Sequence, residues 1–227
     1  MKCFTFFIII LVCISSSYAT NITASDVQNN WANVGNPRDG NSGTWSISGS
    51  SIVSPDSGAR ISDFSMGDGT FSGTFRTSGN DDDIIGFIFG YQDMNNHYRI
   101  GWDSYDYNGG YADIGGSHGL RIIKEVGGTN NFIYTNSIRW QRNVNYDFSI
   151  TRSGANYQVI INKGATNILN YTTNDSQFAI GKVGIYTASQ SPVYFSNLQA
   201  VIPEAGSLSL FLIAGIVGYT IRKIRKH

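Results

Sequence analysis

The chain has 227 residues with 16 basic and 16 acidic side chains, so it carries no formal net charge, and only 14% of its residues are charged against about 25% in ordinary soluble domains. Without a basic excess or stripe, nucleic acid is excluded as a partner. Its two cysteines, Cys3 and Cys13, both lie near the N-terminus, which leaves the rest of the chain without a disulfide or a thiolate nucleophile.

The chain opens on Lys2, an apolar run from Phe4 to Ile14 broken only by Thr5, and then Ser17-Tyr18-Ala19, with small residues at the two positions a signal peptidase reads. This predicts a signal peptide over residues 1–19, helical in its apolar run and cut after Ala19. Val12 stands before Cys13 where a small residue would be needed, which argues against lipoprotein processing. The body, residues 20–202, is long enough for one domain with a sizeable core. Setting aside the basic leader and tail residues and Glu204, 11 basic and 15 acidic side chains remain, a net charge of −4. That balance suits divalent cations.

Across the chain, 26 Gly, 13 Tyr and 13 Phe with many Ser, Thr and Asn point to β-structure. Residues 21–41 stay open, since Asp26 to Trp31 reads as one helical turn or as an edge segment. Further on, alternation is clear: Phe71, Gly73 and Phe75 against Ser72, Thr74 and Arg76, and Tyr146, Phe148 and Ile150 against Asp147, Ser149 and Thr151. Ile84 to Tyr91 is apolar on both faces, with Ile85, Phe87, Phe89 and Tyr91 on one and Ile84, Gly86, Ile88 and Gly90 on the other, so it predicts a central strand. Turn residues fall between the runs at Asp68-Gly69, Ser78-Gly79-Asn80, Asn95-Asn96, Gly127-Gly128, Ser153-Gly154 and Lys163-Gly164. About a dozen short strands without helical crossovers predict an all-β sandwich of two antiparallel sheets. No repeat of fixed period suggests a propeller or solenoid.

Two motifs carry a resemblance. Asp81-Asp82-Asp83-Ile84-Ile85-Gly86-Phe87-Ile88-Phe89-Gly90-Tyr91-Gln92, followed by His97-Tyr98-Arg99-Ile100-Gly101-Trp102, resembles the core signature of the thrombospondin C-terminal domain family. Gly181-Lys182-Val183-Gly184-Ile185-Tyr186 and Val193-Tyr194-Phe195-Ser196-Asn197-Leu198 are similar to the closing strands of lectin-like sandwiches, so the likeness spans about Phe71 to Gln199. It implies a concanavalin A-like jelly roll that binds calcium in its loops, with Asp81, Asp82 and Asp83 as the matched positions.

The triplet has a physical reading of its own. Three adjacent carboxylates at a strand mouth repel one another unless water, salt or a cation neutralises them, and Ca²⁺ takes several oxygen ligands at about 2.3–2.6 Å. Asp103 and Asp106 join the candidate metal set by spacing alone. The competing reading is a solvated acidic turn that keeps an apolar strand soluble. Alternation over His97 to Asp103 turns Tyr98, Ile100 and Trp102 inward and His97, Arg99, Gly101 and Asp103 to the opposite face. Arg99, Tyr105, Tyr107, Asn108 and Tyr111 would then form a polar, aromatic surface suited to stacking on sugar rings, while Trp102 belongs to the core.

An enzyme is not expected. Glycoside hydrolysis generally needs two carboxyl groups flanking the scissile bond, and the only glutamates are Glu125 and Glu204, the second of them in the tail. Asp81, Asp82, Asp83, Asp103, Asp106 and Asp113 remain as a pool of aspartates, but their loop setting suits ions better. No phosphate loop is present, and His118 sits among glycines as an ordinary surface residue.

The tail, residues 203–227, holds Pro203-Glu204, an apolar run of 14 residues from Leu208 to Ile221, and then Arg222, Lys223, Arg225 and Lys226. As a helix the run reaches about 21 Å, marginal for a hydrocarbon core of about 30 Å. The basic end should stay cytoplasmic, leaving the body on the far side of the inner membrane. This order is similar to the PEP-CTERM sorting signal of bacterial envelope proteins, which implies a transmembrane sorting helix handled by an exosortase-type enzyme; an ordinary tail anchor is the alternative. Either way the body is expected in the cell envelope, on the outer surface or in the extracellular matrix. There it serves either as a binding module for extracellular polysaccharide or another matrix ligand, or as a structural or adhesion protein with no small ligand. The sequons at Asn21-Ile22-Thr23 and Asn170-Tyr171-Thr172 carry no weight in a bacterial setting.

Overall fold

Strands dominate because large apolar residues alternate with small polar ones, and each such run buries one face. The computed structural model describes residues 17–79, 81–104 and 118–203. In chain order they form β1 (Ser17–Ile22), α1 (Ala24–Asn29), β2 (Ala32–Val34), β3 (Ser46–Ser48), β4 (Ser51–Val53), β5 (Gly58–Met66), β6 (Gly69–Thr77), β7 (Ile84–Asp93), β8 (Asn96–Trp102), β9 (Leu120–Val126), β10 (Thr129–Thr135), β11 (Tyr146–Ser153), β12 (Asn156–Lys163), β13 (Thr166–Asn174), β14 (Gly181–Ala188) and β15 (Val193–Pro203). Among these residues one sheet runs β13-β12-β11-β6-β15-β4-β3, with β1 also beside β15, and the other runs β10-β9-β8-β7-β14-β5-β2. The pairings resolved in register are antiparallel. This is the two-sheet sandwich that the alternation predicts, and β7 is the middle strand of its sheet.

In the open segment, the helical alternative for Asp26 to Trp31 holds, since α1 covers Ala24–Asn29. Thr23 caps α1: its Oγ1 accepts from the Asp26 N–H at 3.1 Å, while Asp26 Oδ2 accepts from the Thr23 N–H at 2.8 Å. The Thr23 hydroxyl, which donates to Asp26 Oδ2 at 2.7 Å, and then the Thr23 N–H hold the Asp26 carboxyl below its ordinary value. The chain then becomes edge strand β2 against β5.

Between the sheets, Phe71, Phe75, Phe87, Trp102, Tyr146, Phe148 and Phe195 form the aromatic centre of the core. Phe87 stacks on Phe148 at 3.8 Å between centroids, and Trp102 meets Tyr146 edge-on at 4.8 Å. One expectation fails locally. Tyr91 does not follow Ile85, Phe87 and Phe89 into this core but packs with Ile84, Ile88, Ile123 and Tyr186 on the other face. The cause is Gly90, whose left-handed φ of 60° falls where Ile88 to Tyr91 runs against Gly184 to Lys182 of β14, and that one extra residue inverts the alternation.

No helix among the described residues is long and apolar enough to cross a membrane. Ser17, Tyr18 and Ala19 belong to β1, and Pro203 ends β15. The expected leader helix, the run Leu208 to Ile221, Glu204, Arg222, Lys223, Arg225 and Lys226 lie outside the described residues.

Candidate functional site

Asp81, Asp82 and Asp83 lead into β7, and each offers a carboxylate oxygen within 4.8 Å of the others. Three distant segments pin this mouth. Asp81 Oδ2 accepts from the Ser191 N–H at 3.0 Å, and the Asp82 carbonyl accepts from the Ser104 N–H at 3.0 Å. The Asp83 carbonyl accepts from Trp140 Nε1 at 3.1 Å, and the same N–H reaches the Trp102 carbonyl at 2.9 Å. Two oxygens bound to one Ca²⁺ stand at most about 5 Å apart, so the triplet fits that donor set. Neither Ser191 nor Trp140 is signalled by the sequence, because each reaches the mouth across a long chain separation.

Asp103 lies outside that group of three. It is buried, its Oδ1 accepts from the Gly119 N–H at 2.7 Å, and its Oδ2 faces His118 Nδ1 at 3.3 Å, with Arg139 Nε at 3.9 Å from Oδ1. Burial pushes the Asp103 carboxyl above its ordinary value, against the pull of Gly119, His118 and Arg139. Asp103 thus ties the 118–119 turn to the end of β8, a role that spacing alone did not suggest, and His118 is its partner rather than a plain surface histidine. Asp106 lies outside the described residues.

The second face of the seven-stranded sheet carries a different cluster. Arg99 projects onto it as alternation predicts, but it is fully buried. Its Nη1 is hydrogen-bonded to His97 Nε2 at 3.0 Å and ion-paired with Glu125, and its Nη2 donates to Asn130 Oδ1 at 2.7 Å. With Nε2 accepting, His97 donates from Nδ1 to the Asp93 carbonyl at 3.3 Å. Burial, reinforced by Arg99, lowers the His97 pKa to about 3, so the ring is neutral. Of the five expected sugar contacts, only Arg99 is described; Tyr105, Tyr107, Asn108 and Tyr111 lie outside the described residues.

Residues 43–129 match the family model of the thrombospondin C-terminal region. This stretch is thrombospondin C-terminal-like. The match takes in the aspartate mouth, β7 and β8; the closing strands β14 and β15 fall beyond it. Bovine (Bos taurus) thrombospondin-2 is 27% identical over 172 residues, 63% of this chain, and the chain spans only 15% of that protein's length. Among solved structures, the carbohydrate-binding module CBM66 from Bacillus subtilis superposes with a TM-score of 0.55 at 17% identity, covering 76% of this chain and 96% of the module. The exoplasmic/lumenal domain of VIP36, bound to Ca²⁺ and Man3GlcNAc, gives 0.55 at 10% identity, over 80% of this chain and 87% of that domain. At such identities the likeness establishes the lectin-like fold and nothing finer. A candidate glycosyl hydrolase from Parabacteroides distasonis, with a TM-score of 0.52 at 12% identity, shares it, so the fold alone does not separate binding from catalysis.

Proposed function

We propose that this protein is an exported, non-enzymatic binding module that holds calcium at Asp81, Asp82 and Asp83 and engages extracellular polysaccharide or another matrix ligand. The convergence of three carboxylates within 4.8 Å at the mouth of the central strand carries this reading. Bound there, calcium would neutralise their mutual repulsion and offer a charge to which ligand hydroxyls can coordinate. Ser191 holds the Asp81 carboxylate, and Ser104 and Trp140 hold the backbone at Asp82 and Asp83, so distant segments fix the course of the mouth. VIP36 and CBM66 supply the analogy for carbohydrate as ligand. Export rests on the leader pattern of residues 1–19. The tail, from Pro203-Glu204 to Arg222, Lys223, Arg225 and Lys226, would make signal peptidase and an exosortase-type enzyme the processing partners at the inner membrane.

The test uses the full chain in mild detergent. Millimolar Ca²⁺ should raise its melting temperature and chelator should reverse the rise, while Asp82→Asn should abolish the response. Polysaccharide pull-down in the same buffers should show calcium-dependent retention. A melting temperature indifferent to calcium and chelator rules out the metal; retention of no polysaccharide under any condition leaves the structural or adhesion role in its place.

A further inference from the structure

The opposite end of β7, about 30 Å from the aspartate mouth at roughly 3.3 Å per residue, holds a cavity that the mouth does not account for. It has a volume of about 330 Å³ and lies between the loop around Asn36 and the hairpin at Met94 and Asn95, with Glu125 contributing to its lining. Its loop wall is built rather than slack. Asn36 is fully buried, its Oδ1 accepts from the Arg38 and Asp39 N–H groups at 2.9 and 3.1 Å, and its Nδ2 donates to Asp39 Oδ1 at 2.6 Å. A Cβ on Gly35 would strike the Gly40 carbonyl, so the loop closes on itself at that point.

Charge decides what such a cavity can take. Its two charged lining residues, Glu125 and Arg38, are each beside an opposite charge: Glu125 pairs with Arg99, and Arg38 Nη1 stands 3.9 Å from Asp39 Oδ2. His97, next to Arg99, is neutral. The field is therefore balanced, which favours neither an anion nor a cation. What remains is a carboxylate acceptor, guanidinium donors and the side-chain amide of Asn95, groups that satisfy hydroxyls donating and accepting at once, while the Asn36 amide is spent within its own loop. The Met94 side chain offers an apolar surface to C–H groups. The volume lies at the small end of ligand pockets, enough for one ring.

We propose that this cavity is a second ligand site, taking one uncharged polyol, a terminal sugar ring, independently of the aspartates. The choice of a sugar among polyols rests on the carbohydrate-binding reading above; the cavity and its charge balance do not. Saturation-transfer NMR on the full chain in detergent, with D-glucose, D-galactose, D-mannose and D-fructose as separate probes, tests it. At least one sugar should receive saturation from the wild type, the transfer should be lost in Met94→Trp, which fills the cavity, and it should persist in Asp82→Asn and in chelator. Should Met94→Trp unfold, Asn95→Ala at the exposed turn takes its place. Absence of transfer from all four sugars, transfer indifferent to the cavity variant, or transfer lost in Asp82→Asn overturns the proposal. A chain that retains polysaccharide through calcium yet transfers to no monosaccharide loses only the cavity; one that transfers through the cavity but retains no polysaccharide loses only the aspartate site.

Discussion

The two sheets turn their outer faces to different surroundings. On the eight-stranded sheet, registered rows such as Thr70, Thr151, Gln158 and Thr172, or Ser72, Ser149, Ile160 and Asn170, stand half-buried or exposed, and hydroxyls and amides suffice where water completes their bonding. On the seven-stranded sheet the row Ile61, Ile88, Arg99, Ile123 is buried, and so are Arg121, His97 and Tyr186 nearby, with Val34, Tyr91 and Phe132 packed against its apolar part. A covered face must pair every charge it takes from water. Specific contacts therefore accumulate on one side of the sandwich, and the candidate cavity opens there.

The largest expected effect is on the pair that makes this face possible. Glu125→Leu strands the buried Arg99 guanidinium beside His97 and Asn130, and should destabilise by about 3–5 kcal/mol. The double variant Arg99→Met/Glu125→Leu should recover most of that loss in urea unfolding. If the single variant costs less than about 1 kcal/mol, the pair behaves as a surface pair and the contrast between the faces is wrong. Gly86→Ala comes next. The Tyr186 ring lies over Gly86, and a Cβ would run into that ring and into the Ile100 carbonyl oxygen, so a loss of about 3 kcal/mol is expected, read from the same unfolding curves.

Acid should distinguish the faces as well. His97 is neutral in the folded protein, with a pKa of about 3, whereas the unfolded chain protonates it near an ordinary value of about 6.5. Below that value the unfolded state binds the extra proton, so stability is fully present above it and is lost as pH falls towards the folded value. Between pH 7 and pH 5 the loss should be roughly 2 kcal/mol. His97→Gln keeps an acceptor for Arg99 and should flatten that part of the profile. Equal acid sensitivity in wild type and variant would place the sensitivity elsewhere.

How far the sequence could be read follows the same division. Strands whose alternation is unbroken, such as β6 and β11, could be placed with the correct face inward, and the two-faced β7 could be placed at the sheet centre. Tyr91 could not, because the bulge at Gly90 depends on the Phe178 carbonyl and Tyr98 ring pressing where a Cβ would go, and those contacts come from residues far along the chain or across the hairpin. The aspartate triplet was legible as a cluster because its members are adjacent. Arg99 was legible in direction but not in burial, since Glu125 and Asn130, its ion-pair and hydrogen-bond partners, arrive on β9 and β10. The 118–119 turn likewise reveals its tie to Asp103 only once β8 and β9 are paired.

The smallest expected effect tests the solvated side. Thr70 and Thr151 face each other across β6 and β11 with their hydroxyls 2.9 Å apart. Thr151→Val preserves β-branching and volume, so strand preference is kept, and the Thr70 hydroxyl it abandons can turn to water. The change should stay within about 0.5 kcal/mol, as for surface substitutions generally, and calcium-dependent polysaccharide retention should be unaltered. A cost above roughly 2 kcal/mol would mean that this hydroxyl is desolvated and its loss strands a buried group. The eight-stranded face would then be a covered surface like its counterpart, and the contrast between the two faces would have no physical basis.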